Sequence, residues 1–383
     1  MINSVIIWTE EPLNNLYTAF NYLGILGKRI ICFSFKDFSE ERKLVGWNTI
    51  HAQNKIDFKY GDIYDAIILL SESMEAVHIF CSYTYGPGKV LDMYKKRGGK
   101  NGILVCEKPC YIGSARVKLL KRIIGKPYYY SIYRKYKNAL CCILPTGYQS
   151  ILAYEKYGWS KKKMFEFLYS PESVEKYETY KKTGDVVKFV YVGRFSYYTR
   201  GLDVLIKAFD ELPESGWTLS LVGGYGENKD EVIEWAEKKK NVFFEGTWNA
   251  NEVCKKLRDY DVFVCPSNIN GWYGQLNEAI SAGLGVISTT GAVSDEMVIE
   301  ANCGIVTQTG DVMGLKTALS SVLSDHEKID FWKKNALDYS VRIQPETIGT
   351  YLNDIIEYSS NEISDMRPSC PWFTRIDEYS ELL

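Results

Sequence analysis

Two arginines six residues apart, Arg194 and Arg200, are the first residues in this sequence that could do chemistry. Arg194 follows the run VKFVYVG, which ends in Gly193, and Arg200 stands before Gly201 and LDVLIKAF. Each guanidinium offers a planar fork of donors, so a pair of them at a strand end suits a diphosphate. A second group lies in PSNINGWYGQLNEAISAGLGVIST at 266–289, which supplies Asn270, Gly271, Trp272, Tyr273, Gly274, Gln275 and Glu278. Glycines there let backbone approach a ligand, and a helix opening near Gly274 turns free N–H groups toward phosphate. Trp272 and Tyr273 could cover a sugar face, and the Glu278 carboxylate could accept from two adjacent ribose hydroxyls. Each residue alone has a plainer reading, a solvated surface arginine or an acid complementing a helix dipole. Their combination is what points to a nucleotide carrying a sugar.

These groups need a scaffold that gathers strand ends. From residue 186 onward, short β-branched or aromatic runs alternate with amphipathic stretches, the signature of a parallel, doubly wound sheet. Strands are expected at 187–193, 217–223, 241–246, 261–267, 285–289 and 304–308, with helices near 201–212, 229–239, 251–259, 274–283, 294–301 and 312–324. Ligands bind such sheets at the carboxyl ends of the strands. Arg194, the pair Gly223 and Gly224, then Gly246 with Thr247, and the 270–278 block all fall there. The first half repeats the plan less clearly, with strands expected at 4–8, 29–35, 66–70, 76–81, 102–107 and 139–145. At 383 residues the chain suits two domains. The reading is α/β throughout: a domain over 1–180, a polar hinge at 177–185, a second domain over 186–365, and a tail at 366–383 that packs back on the first.

The blocks VKFVYVGRFSYYTRGLDVLIKAF, LVGGYGE, NVFFEGTW, DVFVCPS and GWYGQLNEA, with NCGIVTQTGD after them, resemble in order and spacing the family 4 retaining glycosyltransferases of the GT-B fold. The match is close over about 190–325. The resemblance implies two Rossmann-like domains facing across a cleft, the first binding an acceptor and the second a nucleoside-diphosphate sugar. Arg194 and Arg200 would then hold the donor diphosphate in place of a metal, so no cofactor is expected. Glu278 falls on the second acid of the family's Glu-x7-Glu pair, which holds the ribose, and Asn270 falls on the first. Gly193, Gly223, Gly224, Gly246 and Thr247 would offer backbone contacts. The acceptor would be a glycan or a lipid-linked sugar in surface polysaccharide or glycoconjugate synthesis. Four departures stand out: an amide at Asn270 where the family has an acid, Arg200 for lysine, Gly285 for proline, and no glycine in the loop TEEPLNN after the first strand. The first and last keep open a non-catalytic subunit of the same fold that binds a sugar nucleotide or a partner enzyme. An epimerase reading is disfavoured by the scarcity of histidine.

On the acceptor side, Tyr83, Glu107 and His78 are the candidates, Tyr83 and Glu107 at strand ends and His78 within a strand. Asp259-Tyr260-Asp261 matches a D-x-D metal motif but joins a helix end to a strand, which favours a structural role. Only three histidines occur, none at ligand spacing, so no metal site is expected. Residues 1–180 carry 26 Lys and Arg against 17 Asp and Glu. Eight of those bases and no acid lie within 111–140, which reads as a solvated basic face or as one that docks on an anionic membrane or acceptor, and less as a nucleic-acid site given a pI near 6.1. Scattered cysteines and the absence of a long apolar segment suggest a cytoplasmic protein, peripheral on the inner membrane face at most.

Overall fold

The computed structural model describes residues 4–12, 14–44, 46, 55–109, 115–171, 177–269, 271–360 and 366–374. The chain forms two units. Unit 1 comprises Met1–Lys43, Trp47–Ser170 and Pro345–Pro371, and unit 2 comprises Leu44–Gly46, Pro171–Gln344 and Trp372–Leu383.

Unit 1 runs β1 (Ser4–Thr9), α1 (Asn14–Ile25), β2 (Arg29–Ser34), α2 (Glu40–Leu44), β3 (Ile56–Tyr60), α3 (Ile63–Glu72), β4 (Val77–Phe80) and α4 (Tyr85–Lys96). It continues through β5 (Gly102–Cys106), α5 (Ala115–Tyr136), β6 (Leu140–Pro145) and α6 (Tyr148–Lys156). Unit 2 follows with β7 (Val187–Val192), α7 (Tyr197–Arg200), α8 (Leu202–Asp210), β8 (Trp217–Val222), α9 (Lys229–Glu237) and β9 (Val242–Gly246). Then come α10 (Val253–Leu257), β10 (Val262–Cys265), α11 (Gly274–Ser281), β11 (Gly285–Thr289), α12 (Asp295–Ala301), β12 (Gly304–Thr307), α13 (Val312–Leu323) and α14 (His326–Ser340). The last helix, α15 (Pro345–Ser360), returns to unit 1.

Both sheets have six parallel strands, ordered β3-β2-β1-β4-β5-β6 and β12-β11-β10-β7-β8-β9. Each order reverses once, between β1 and β4 and between β7 and β10, and ligand crevices of doubly wound sheets open at such reversals. The strands of unit 2 read almost as expected because the central ones, β7, β8, β10 and β11, are buried on both faces: Phe189, Tyr191, Leu219, Val262, Val264 and Ile287 join one core with Phe209 and Trp217. Each such buried side chain contributes roughly 1.5–3 kcal/mol.

Three expectations change. The run AIILL at 66–70 is the middle of α3, not a strand. Asp62 caps the helix by accepting from the Tyr64 and Asp65 N–H groups, and Ala66, Leu69 and Leu70 are buried at helical spacing. The third strand is instead the polar segment IDFKY, an edge strand with only Ile56 buried. The third change concerns the domain ends, since unit 2 stops at Gln344 rather than 365. Within unit 1, α15 buries Ile348, Leu352, Ile355 and Ile356, Gly349 admits the Ala19 carbonyl and Tyr22 of α1, and Lys28 pairs with Glu357 at 2.5 Å. The tail holds no helix over 366–374: Arg367 donates to the Lys162 and Met164 carbonyls, whereas Trp372 already belongs to unit 2, accepting at its carbonyl from the Tyr339 hydroxyl at 3.0 Å.

Candidate functional site

Arg200 owes its position to three neighbours. Ser196 caps the single turn α7, its Oγ accepting from Thr199 N–H at 3.0 Å. Gly201 ends the turn at φ 65°, a left-handed conformation that suits glycine, and a Cβ there would strike the Pro266 carbonyl. The loop after β7 is thereby seated against the end of β10, and the Asn268 amide adds a bond to the Tyr197 carbonyl at 3.0 Å. At the end of α7 the half-buried Arg200 guanidinium stacks on the Tyr273 ring, 4.5 Å from its centroid. Among the described residues the groups that act on it are Tyr273, Tyr191, Cys265 and Tyr225, with no carboxylate among them. Burying a cation without a counter-charge is costly, and the stack on Tyr273 offsets part of that cost.

Tyr273 supports that stack from the core. It is 1% exposed, and its hydroxyl donates to the Val192 carbonyl at 2.9 Å. Trp272 is buried as well, its indole N–H donating to Asn277 Oδ1 at 2.9 Å. Neither ring is placed to cover a sugar, which corrects the expectation for both: the aromatic pair braces the loop and carries Arg200. Gly271 is held by the Val293 N–H, which donates to its carbonyl at 3.1 Å, and a Cβ on Gly271 would meet open space. Gly274 and the half-buried Gln275 open α11, whose first turn is capped by no described side chain. Glu278 lies one turn further on, half-buried. Asn270 lies outside the described residues.

Arg194 is exposed, with its guanidinium 5.2 Å from the Tyr225 centroid and its carbonyl accepting from the Tyr191 hydroxyl at 2.7 Å. Gly193, at the end of β7, lies so close to Tyr273 that a Cβ would approach its hydroxyl to 2.6 Å. The same crowding recurs along this edge: a Cβ on Gly223 would meet the Gly193 carbonyl, and one on Gly224 would meet the Thr247 hydroxyl. Gly246 donates no side chain either, and its carbonyl accepts from Gly223 N–H at 2.9 Å. The predicted donor-side residues that are described therefore share the carboxyl edge of one sheet. Sequence reasoning missed Ser196 and Glu227, which are hydrogen-bonded to each other; that bond, then Glu227's own backbone, then the Arg194 cation hold the Glu227 carboxyl below the usual range. The serine just before a turn was the available signal.

In unit 1, Tyr83 and Glu107 line one cavity of about 270 Å³ at the ends of β4 and β5, joined by Tyr129, Tyr154 and Tyr169. His78 does not reach it. The imidazole is fully buried; Trp8 Nε1–H donates to its Nδ1 at 3.0 Å, and its Nε2 meets the Ser73 carbonyl at 3.0 Å. Burial pulls its pKa down to about 4, against a smaller rise from the Ser73 bond, so it is a neutral core residue. The D-x-D motif is structural: Asp261 is buried, pairs with Lys333 at 2.8 Å and accepts from Lys188 N–H, while exposed Asp259 pairs with Lys181. Of the basic stretch, 111–114 lies outside the described residues, as do the side chains of Arg116, Lys118, Lys121 and Arg122. Beyond them α5 exposes Ile124, Lys126, Tyr128, Tyr130 and Arg134. No described helix is long and apolar enough to cross a membrane.

Residues 175–338 match the family model of glycosyl transferases group 1. A glycogen synthase of Mycobacterium tuberculosis is 30% identical over 143 residues, covering 36% of this chain and 34% of its own length. The chain thus spans about a third of that relative. Among solved structures, HepE of Anabaena with UDP and glucose superposes at a TM-score of 0.67 with 13% identity, covering 93% of this chain and 100% of HepE. Sucrose-phosphate synthase of Thermosynechococcus elongatus gives 0.65 with 15% identity, covering 94% and 100%. Two parallel six-stranded α/β sheets and these neighbours agree that the chain has the GT-B fold, and its residues 175–338 are similar to the glycosyl transferases group 1.

Proposed function

We propose that this protein transfers a sugar from a nucleoside diphosphate to a glycan or lipid-linked acceptor, with retention and without a metal. The observation that carries the reading is Arg200, a half-buried cation stacked on Tyr273 without a carboxylate beside it among the described residues, at the sheet edge that also bears Arg194 and the start of α11, capped by no described side chain. Those groups would bind the diphosphate and stabilise the charge it gains as it leaves, with electrostatics supplying most of the acceleration. The bond from sugar C1 to the β-phosphate oxygen breaks, the acceptor oxygen joins C1 on the same face, and the acceptor proton passes to the departing phosphate. Glu278 would hold the ribose hydroxyls, and the Asn270 amide would select the donor sugar.

Incubation with UDP-, GDP- and ADP-sugars and a panel of glycoside acceptors, with and without EDTA, tests this. Transfer that persists in EDTA supports the reading. An isomerised nucleotide sugar, or nucleotide binding without turnover on any acceptor, refutes it, and activity restored only by Mn²⁺ refutes the metal-free part.

The exposed residues of α5, Ile124, Tyr128 and Tyr130 among the apolar and Lys126 and Arg134 among the basic, would dock on an anionic membrane, the cations complementary to the lipid charge. Co-sedimentation with anionic vesicles at low salt, and not with neutral ones, is the expected result; equal recovery would reject it.

A further inference from the structure

The loop that carries Arg200 is held by the turn after β8, and each bond there follows from the one before. Ser196 is fully buried at the start of α7. Its Oγ accepts from the Thr199 N–H at 3.0 Å and from the Thr199 hydroxyl at 2.7 Å. A serine hydroxyl has two acceptor lone pairs and one proton, so both lone pairs are used and the proton needs an acceptor elsewhere. It finds Glu227 Oε1. The same turn holds the backbone of the loop. Asn228 Oδ1 accepts from the Tyr197 N–H at 2.9 Å, the Phe195 carbonyl accepts from the Asn228 N–H at 3.1 Å, and the Phe195 N–H donates to the Tyr225 carbonyl at 2.8 Å. Gly226, at φ 128°, permits this approach, since a Cβ there would strike the Phe195 carbonyl.

The consequence falls on Arg200. An isolated turn such as α7 is too short to hold itself. Arg200 is its last residue, and its N–H donates to the Ser196 carbonyl at 3.1 Å. Where the turn sits therefore sets where the guanidinium meets Tyr273. Without an acceptor at position 227 the Ser196 hydroxyl would be buried and unpaired, or would turn away from Thr199 and give up the cap. What the turn requires is an acceptor oxygen. The negative charge is not required, since a carboxylate within the field of Arg194 opposes an incoming phosphate.

We propose that Glu227 is a positioning residue of the donor site: by accepting from the Ser196 hydroxyl it locks α7 and so sets the Arg200 guanidinium on Tyr273, where the diphosphate arrives. The inference rests on the transfer reading and deepens it, adding a residue that acts through Arg200.

Two readouts on the full chain test it. Side-chain nitrogen NMR reads Arg200 without any ligand: its Nε–H signal, assigned by its loss in Arg200→Met, is expected to carry a ring-current shift from Tyr273. Glu227→Ala should move that signal toward those of exposed arginines, and so should Ser196→Ala, an independent variant that removes the capping oxygen. Glu227→Gln, which keeps an acceptor oxygen, should hold it. Calorimetric titration with UDP, GDP and ADP reads binding. Glu227→Ala is expected to weaken the best of these about tenfold, and Glu227→Gln to stay within about twofold of the wild type. In the Arg200→Met background Glu227→Ala should cost nothing further, because its effect passes through Arg200. An Arg200 signal unmoved by both alanine variants, losses that add in the double variant, or equal losses in the Gln and Ala variants overturns the positioning role. A signal that moves with Glu227→Ala and returns with Glu227→Gln, in a protein that ignores all three nucleotides, would uphold the hold on Arg200 and refute the donor reading instead.

Discussion

Replacing Arg200 with methionine removes the charge and keeps an unbranched stem against Tyr273. In the free protein the guanidinium gives up part of its hydration and receives in return a stacking contact at 4.5 Å. Such a contact contributes about 0.5–2 kcal/mol, and the relief of desolvation on removing the charge opposes its loss. The two effects nearly cancel, so the unliganded variant should melt within a few degrees of the wild type. Binding is a different matter. A charge-assisted hydrogen bond contributes about 1.5–3 kcal/mol, and a guanidinium fork makes one or two of them to a diphosphate. The affinity for the nucleoside diphosphate should therefore fall roughly 10- to 100-fold or more. Turnover should fall further, because the charge on the leaving oxygen grows in the transition state. Calorimetric titration with UDP, GDP and ADP, paired with thermal melts, reads both quantities. Wild-type affinity in the variant, at unchanged stability, would refute the assignment of Arg200 to the diphosphate.

Asp261→Ala would strand the Lys333 ammonium, which is 3% exposed, and should cost about 3–5 kcal/mol in urea unfolding. Asp259→Ala, at an exposed ion pair, should cost less than about 1 kcal/mol and leave activity intact, whereas loss of activity would revive the metal motif. His78 has a folded pKa of about 4, below its unfolded value near 6.5, so the unfolded chain takes up the proton first. Stability should therefore be full above about pH 6.5 and decline toward pH 4, by at most roughly 3 kcal/mol, and His78→Gln should flatten that decline. If the pH dependence of the urea midpoint is the same in both proteins, the histidine is not buried neutral. Gly201→Ala, at φ 65° and against the Pro266 carbonyl, should destabilise by more than about 1–2 kcal/mol and weaken nucleotide binding, while Gly271→Ala, with open space around it, should stay within about 0.5 kcal/mol.

The legible part of the sequence was the part where one physical signal dominates. Strands such as VKFVYV and GVIST are buried on both faces, so their composition alone marks them, and the arginines and glycines at their ends reveal the edge where ligands bind. AIILL misled because a short apolar run fits a strand or a buried helical turn equally, and the deciding feature was the Asp62 cap just before it. IDFKY was missed for the opposite reason: an edge strand needs only one buried side chain. Trp272 and Tyr273 read as rings that could cover a sugar face because aromatics beside glycines suit a flat apolar surface, yet their polar tips are satisfied within the protein, at Asn277 and Val192. The four tyrosines of the unit 1 cavity could not be grouped in advance, since they come from four separate segments and only the fold brings them together.

The two reversals of strand order carry opposite chemistry. At the end of β7 stand Gly193 and Arg194, and Arg200 stacks on Tyr273 at the start of α11, whose first turn no described side chain caps. At the end of β1 the glycine-free loop TEEPLNN supplies carboxylates instead. Glu10 accepts from Gly86 N–H in the first turn of α4 at 2.9 Å and pairs with Lys36, while Glu11 accepts from Ser39 N–H at 2.6 Å. The N–H group that an anion would need at α4 is thus already filled from within the chain. A helix start closed by its own acid repels phosphate, and one left open attracts it. The glycine-free loop after the first strand thus fills the start of α4 with the chain's own carboxylate, whereas the matching edge of unit 2 carries glycines and arginines.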